Sequence, residues 1–193
     1  MFSRFLMGGL AVLILVIIPT GSAAEGFVHP GLLHSQEDIV RMRSAVGKGE
    51  GPIYDGFEVL ADSLFSKVDY RMRGPVEEWG RAPNKNIGQA QDDARGAYQN
   101  ALMWAITGKK SHAIKAIEIL NAWSGKLKKV SGIDGVLASG LQGFQFANAA
   151  ELIRYTDSGW TEAEARRCEA SFKKSWLPTI EHYAYFANGN WET

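Results

Sequence analysis

The chain has 193 residues, with 21 Lys and Arg against 21 Asp and Glu, a single cysteine, and apolar residues making up 46%. This charge balance excludes a dedicated nucleic-acid binder built on a basic surface. One cysteine excludes an internal disulfide and a zinc site built on thiolates, so stability must come from packing.

Residues 1–24 read as a signal peptide. Arg4 gives a positive start, Leu10 to Ile18 are continuously apolar, Pro19 and Gly21 break the run, and Ser22, Ala23 and Ala24 are small enough for signal peptidase. Cleavage before Glu25 would leave residues 25–193, about one domain's length, in the periplasm or outside the cell. An uncleaved anchor is the alternative, but the apolar run falls short of the roughly 20 residues that a spanning helix needs. No stable membrane insertion is expected after cleavage.

From there the pattern is helix after helix. Ser35 and Asp38 form a start signal for an amphipathic helix through Ile39, Met42, Arg43 and Val46, ended by Gly47 and Gly49. A second helix is predicted from about Ile53 to Val68, with Phe57, Leu60, Ala61, Leu64 and Phe65 on one face. Between Val68 and Ile87 the turn formers Gly74, Pro75, Gly80 and Pro83 mark a long loop, a kind of segment that often carries function. Ala90, Ala94, Ala97, Tyr98, Ala101, Leu102, Ala105 and Ile106 then recur at steps of three and four, giving a helix closed by Gly108. Ser111 is expected to cap a return helix with Ala113, Ala116, Ile117, Leu120 and Trp123 inward, making an αα-hairpin. After a linker from Gly125 to Gly135, a second pair is predicted from Ala138 to Tyr155 and from Glu162 to about Lys174, the latter opened by a Thr161–Glu164 capping box. A last helix runs from Trp176 to Ala187, with Pro178 in its first turn. No strand-like alternation of useful length is visible. The fold class read from this pattern is all-α, built of antiparallel hairpins, as in a solenoid or an α/α toroid.

One helix differs from the rest. Gln142, Gln145, Asn148, Glu151 and Arg154 place a polar residue at every third position of an otherwise apolar segment. Amides donate and accept hydrogen bonds as sugar hydroxyls do, and neighbouring aromatics stack on sugar rings, so Gln142 and Gln145 are candidate substrate-binding residues. The alternative is the polar edge of an ordinary amphipathic helix.

The segment His29-Pro30-Gly31-Leu32-Leu33-His34-Ser35, the stretch around Asp93-Ala94-Arg95, the Gln142 helix and the terminal Asn188-Gly189-Asn190-Trp191 together resemble the alginate lyase superfamily of secreted α/α-toroid polysaccharide lyases, over a span from about Phe27 to the last residue. The resemblance implies β-elimination on an acidic polysaccharide containing uronate, without a cofactor or metal. The C5 proton is removed and the C4 glycosidic oxygen leaves. An amide must hold the charge that develops on the carboxylate, and a tyrosine or histidine must take the proton. Asn190 matches the family's carboxylate-neutralising asparagine, Asn188 is the second candidate, and Trp191 would support the turn or a sugar ring. Trp191 stands where alginate-cleaving members carry a histidine.

The family's base tyrosine and arginine belong to helices beyond Thr193. Residues 25–193 are therefore expected to be the N-terminal part of a truncated toroid with little activity of its own. A non-catalytic helical scaffold binding acidic polysaccharide is the alternative. Asn188 and Gly189 are also residues that end helices. His29 and His34 either fix the N-terminal arm or act in chemistry, and His182 reads as a structural imidazole. Lys109, Lys110, Lys115, Lys126, Lys128 and Lys129 either attract a polyanion or are simply solvated.

Overall fold

A computed structural model describes residues 26–184. The segment 1–24, expected to be a signal peptide, and Asn188, Asn190 and Trp191 lie outside the described residues.

Two hairpins form the centre. Helix α3 (Ile87–Thr107) turns at Gly108, which is left-handed with φ 68°, into α4 (Lys110–Lys126). Ala90, Ala94, Ala97, Ala101 and Ala105 of α3 are fully buried. Without longer side chains in the way, α4 and α5 (Gly135–Arg154) both pack closely on α3. A two-residue-per-turn pattern never develops, yet two three-residue strands exist: β1 (Glu78–Gly80) and β2 (Lys129–Ser131), paired parallel. β1 leads into α3 and β2 into α5, so α3 and α5 start from the same end and lie side by side. α4 and α6 (Glu162–Ser171) pack on each other as the second layer. The described residues are thus mostly helical, arranged as successive hairpins in two layers.

The predicted boundaries shift at the end of the second helix, at the start of α4 and at the junction of α6 with the last helix. α1 (Gln36–Lys48) has the expected start, with Ser35 and Asp38 closing a full capping box, and ends at the left-handed Gly49. The second helix, α2 (Pro52–Asp62), stops short of Val68. Ser63 accepts a hydrogen bond from Phe65 N and opens a single 3₁₀ turn over Leu64–Ser66. The predicted apolar face of α2 is only partly covered, with no residue of α2 buried and Leu64 exposed. Ser111 is not the cap, because α4 begins at Lys110 with Lys109 at the N-cap, two residues before Ser111, and gains no side-chain cap bond. The Thr161–Glu164 capping box is present as expected. The expected break between Lys174 and Trp176 is absent: α6 runs through a π-helical turn (Phe172–Trp176) into α7 (Leu177–Ala184). Leu177 N bonds to Phe172 O across that wide turn. A widened turn also relieves the crowding that the Pro178 ring would cause in a regular helix.

The long loop before α3 is pinned rather than free. Asp93 is fully buried and accepts four hydrogen bonds, from Tyr70 Oη at 2.7 Å and from Arg73 N, Gly74 N and Trp123 Nε1 at 2.8 Å. A Cβ on Gly74 would meet Trp123 Cζ2 at 2.5 Å, so glycine is what lets the loop approach so closely. Beneath it, Trp79 of β1, Trp123, Phe146 and Trp176 pack ring on ring at centroid separations of 5.5–5.7 Å.

Candidate functional site

The polar stripe of α5 does not form one binding face. Residues three apart on an α-helix are rotated by about 300°, so each step drifts about 60° round the axis, and the five side chains meet different neighbours. Gln142 points into the core, 6% exposed, and its Oε1 accepts no hydrogen bond from a described residue. Gln145 is half-buried and donates to its own helix at Leu141 O, 2.9 Å away. Asn148 and Glu151 hold the N-terminal arm. Leu33 N donates to Asn148 Oδ1 at 2.9 Å, Gly31 N to Glu151 Oε1 at 3.1 Å, and His29 Nδ1 meets the same Oε1 at 2.6 Å. Arg154 reaches Glu162 and Glu169 of α6, each at 3.2 Å. Of the two proposed sugar-binding amides, then, Gln142 is not presented to solvent and Gln145 is only partly so.

The arm follows the order of its own motif. His29 stacks on Tyr155 with centroids 3.7 Å apart and planes 6° from parallel, which fixes one end. Four residues after Pro30, His34 arrives over α3, where its Nε2 lies 2.6 Å from Tyr98 Oη. Burial lowers the His34 pKa below its usual value, only partly opposed by Asp38, so the imidazole is neutral near pH 7. Burial pushes the Tyr98 phenol up to about 12. The phenol is protonated and the imidazole neutral, so in the Nδ1–H tautomer of His34 Tyr98 Oη donates to Nε2, and in the Nε2–H tautomer the imidazole donates to Tyr98 Oη. The Tyr98 ring meets Phe144 of α5 edge-on at 6.3 Å, and Phe144, Leu141 and Leu137 continue the surface as exposed apolar side chains along one side of α5.

This meeting of arm, α3 and α5 is the candidate site. It joins a hydrogen-bonded proton donor and acceptor to an aromatic surface, and Gln91, two helical turns before Tyr98, shares the same side of α3. Tyr98 was hidden in the sequence because it sits inside the apolar repeat of α3, where a tyrosine counts as a core residue. His34 reads there as an anchor of the arm, and nothing local ties it to a residue on α3. His112 is structural: its Nδ1 bonds to the buried Asn100 Oδ1 at 2.9 Å. Cys168 is buried, and its thiol is pushed up to about 12, so it is no nucleophile. Among the described residues, no group of His, Cys, Asp or Glu is placed to hold a metal, and no helix is long and apolar enough to cross a membrane.

No protein-family model, curated protein or solved structure matches this chain.

Proposed function

We propose that the chain is part of a secreted α/α-toroid lyase and binds uronate-containing glycans on the face formed by the arm, α3 and α5. The two-layer order, with α3 and α5 in one layer and α4 and α6 in the other, is the unit that an α/α toroid repeats. The observation that carries the reading is the His34–Tyr98 hydrogen bond. In this reading Tyr98 takes the place that the resemblance gives to a tyrosine on later helices: with His34 as the Nδ1–H tautomer, Tyr98 Oη takes the C5 proton as its own proton passes to His34 Nε2. The C5–H electron pair becomes the C4–C5 double bond, the C4–O bond breaks with its electrons staying on the departing oxygen, and His34 and Tyr98 return one proton to that oxygen. Phe144 offers a ring face beside this pair. Asn190, with Asn188 as second candidate, is assigned the role of holding the substrate carboxylate as charge builds on it, and Trp191 that of supporting the turn.

The alternative is a scaffold that binds the same glycans without cutting them. Both readings require the chain to bind polyglucuronate or alginate and not neutral dextran. In the lyase reading, any ultraviolet absorbance from unsaturated uronate ends disappears in Tyr98→Phe and Asn190→Ala while binding is retained. A chain that binds no uronan contradicts both readings, and absorbance that persists undiminished in Tyr98→Phe contradicts the assigned proton path.

A further inference from the structure

A positively charged surface lies away from His34 and Tyr98, at the end of the molecule where α5 begins. There an open groove of about 690 Å³ is lined by Lys128 and Lys129 from the β2 segment, Lys174 from the π turn, and the apolar Val130, Ile133 and Pro178. Ser175 Oγ donates to Leu127 O at 3.2 Å and so ties the π turn to the chain before β2, while the start of α5 at Gly135 lies next to Thr179 of α7.

The neighbouring acids are already matched. Glu77 bridges Lys126 at 3.2 Å and Lys128 at 3.1 Å, Glu78 pairs with Lys85, and Asp134 lies 3.6 Å from Arg81. Lys129 sits close enough to Glu78 to help lower its pKa without forming an ion pair with it. Among the described residues, neither Lys129 nor Lys174 makes an ion pair, and both are exposed. The groove therefore carries surplus positive charge beside apolar side chains, of which Ile133 projects into solvent at 91% exposure. That combination suits a sugar acid, whose ring presents C–H faces and whose carboxylates are spaced along a chain. The groove also adjoins α7 through Pro178 and Thr179.

We infer that this groove binds the carboxylates of an acidic polysaccharide through Lys129 and Lys174, as a docking subsite separate from the His34–Tyr98 pair. The inference rests on the proposed function for the class of ligand. The test is affinity electrophoresis of the full chain through gels containing polyglucuronate, dextran or poly-glutamate. The unaltered chain should be retarded by polyglucuronate well beyond the other two. Lys129→Glu/Lys174→Glu should weaken that affinity about tenfold, the scale of losing and reversing two exposed charge contacts. Lys129→Gln and Lys174→Gln, milder changes at exposed positions, should each give part of the loss. Lys109→Glu serves as the control, because α4 has 17 residues and so separates Lys109 from the groove by about 25 Å. It should leave retardation unchanged.

Retardation of the lysine variants equal to that of the unaltered chain overturns the groove and leaves the proposed function standing. Equal retardation by poly-glutamate overturns it as well, by showing charge attraction without recognition of a sugar. Absence of retardation by polyglucuronate overturns the groove and the proposed class of ligand together.

Discussion

Gln142 shows how a residue's surroundings decide its role. On the sequence it leads a row of amides, and a substrate contact there would weaken binding when lost. In the fold it is a core residue with an acceptor that no described group satisfies. Removing such a side chain leaves a cavity, whereas an apolar side chain of similar length removes an unsatisfied group. Gln142→Ala should therefore destabilise by about 1–3 kcal/mol, while Gln142→Met should be neutral or stabilising. Urea unfolding of the two variants checks this. A loss of glycan affinity in Gln142→Met at full stability would return Gln142 to the binding surface.

The half-buried His34 and the buried His112 give a pH signature. His34 and His112 both have pKa values lowered below 6.5, His112 by burial and by Lys109. A group whose folded pKa lies below its unfolded value binds fewer protons when folded. Its neutral form supports the fold above about pH 6.5, and that support is lost as pH falls through the unfolded and then the folded pKa. Stability should thus decline between pH 7 and 5, before the carboxylates titrate, and the decline should be shallower in His34→Gln/His112→Gln. An unchanged slope in that variant would mean that other groups cause it.

At the scale of elements, much of the helical order was legible. α3 and α5 repeat small and apolar residues over more than four turns, and α1 and α6 carry complete capping boxes, which are local chemistry. What stayed hidden depends on contacts distant in sequence. β1 and β2 are three residues each, too short for alternation to register, and they exist because their partners lie far apart in the chain. The end of α2 at Asp62 reflects Ser63 turning the backbone, although the apolar spacing continues to Phe65. The π turn keeps α6 and α7 continuous where the sequence suggests a break.

The pinning of the loop before α3 is likewise invisible in sequence, since Asp93 reads as a polar residue on a helix. Asp93→Asn swaps an acceptor-only group for one that must turn a donor towards one or more of four donors. It should cost about 3 kcal/mol, the scale of hydrogen bonds to a buried charge. Denaturant unfolding with an unchanged slope and a lowered midpoint is expected. A midpoint equal to that of the unaltered chain would show that the loop is held by packing alone.

For the whole molecule, the all-helical class and the hairpin order followed from periodicity, while the candidate site did not. His34 and Tyr98 come from an irregular arm and from an apolar repeat, and they meet only because Asn148 and Glu151 lay the arm across α5. The polar stripe, read as one sugar-binding row, is instead divided among the core, solvent, the arm and α6 by the drift of a three-residue step. The side of the molecule left open by this division carries the exposed Phe144, Leu141 and Leu137 beside the half-buried Tyr98, and the lysine groove lies where α5 begins. The most direct measurement is an NMR titration of the chain with a short glucuronate oligosaccharide, following the His34 ring and the Tyr98 and Phe144 aromatic signals. Saturable shifts centred on these three residues, absent with a neutral oligosaccharide of the same length, are expected. Shifts confined to other surfaces, or none at millimolar ligand, would contradict a glycan-binding face on the arm, α3 and α5.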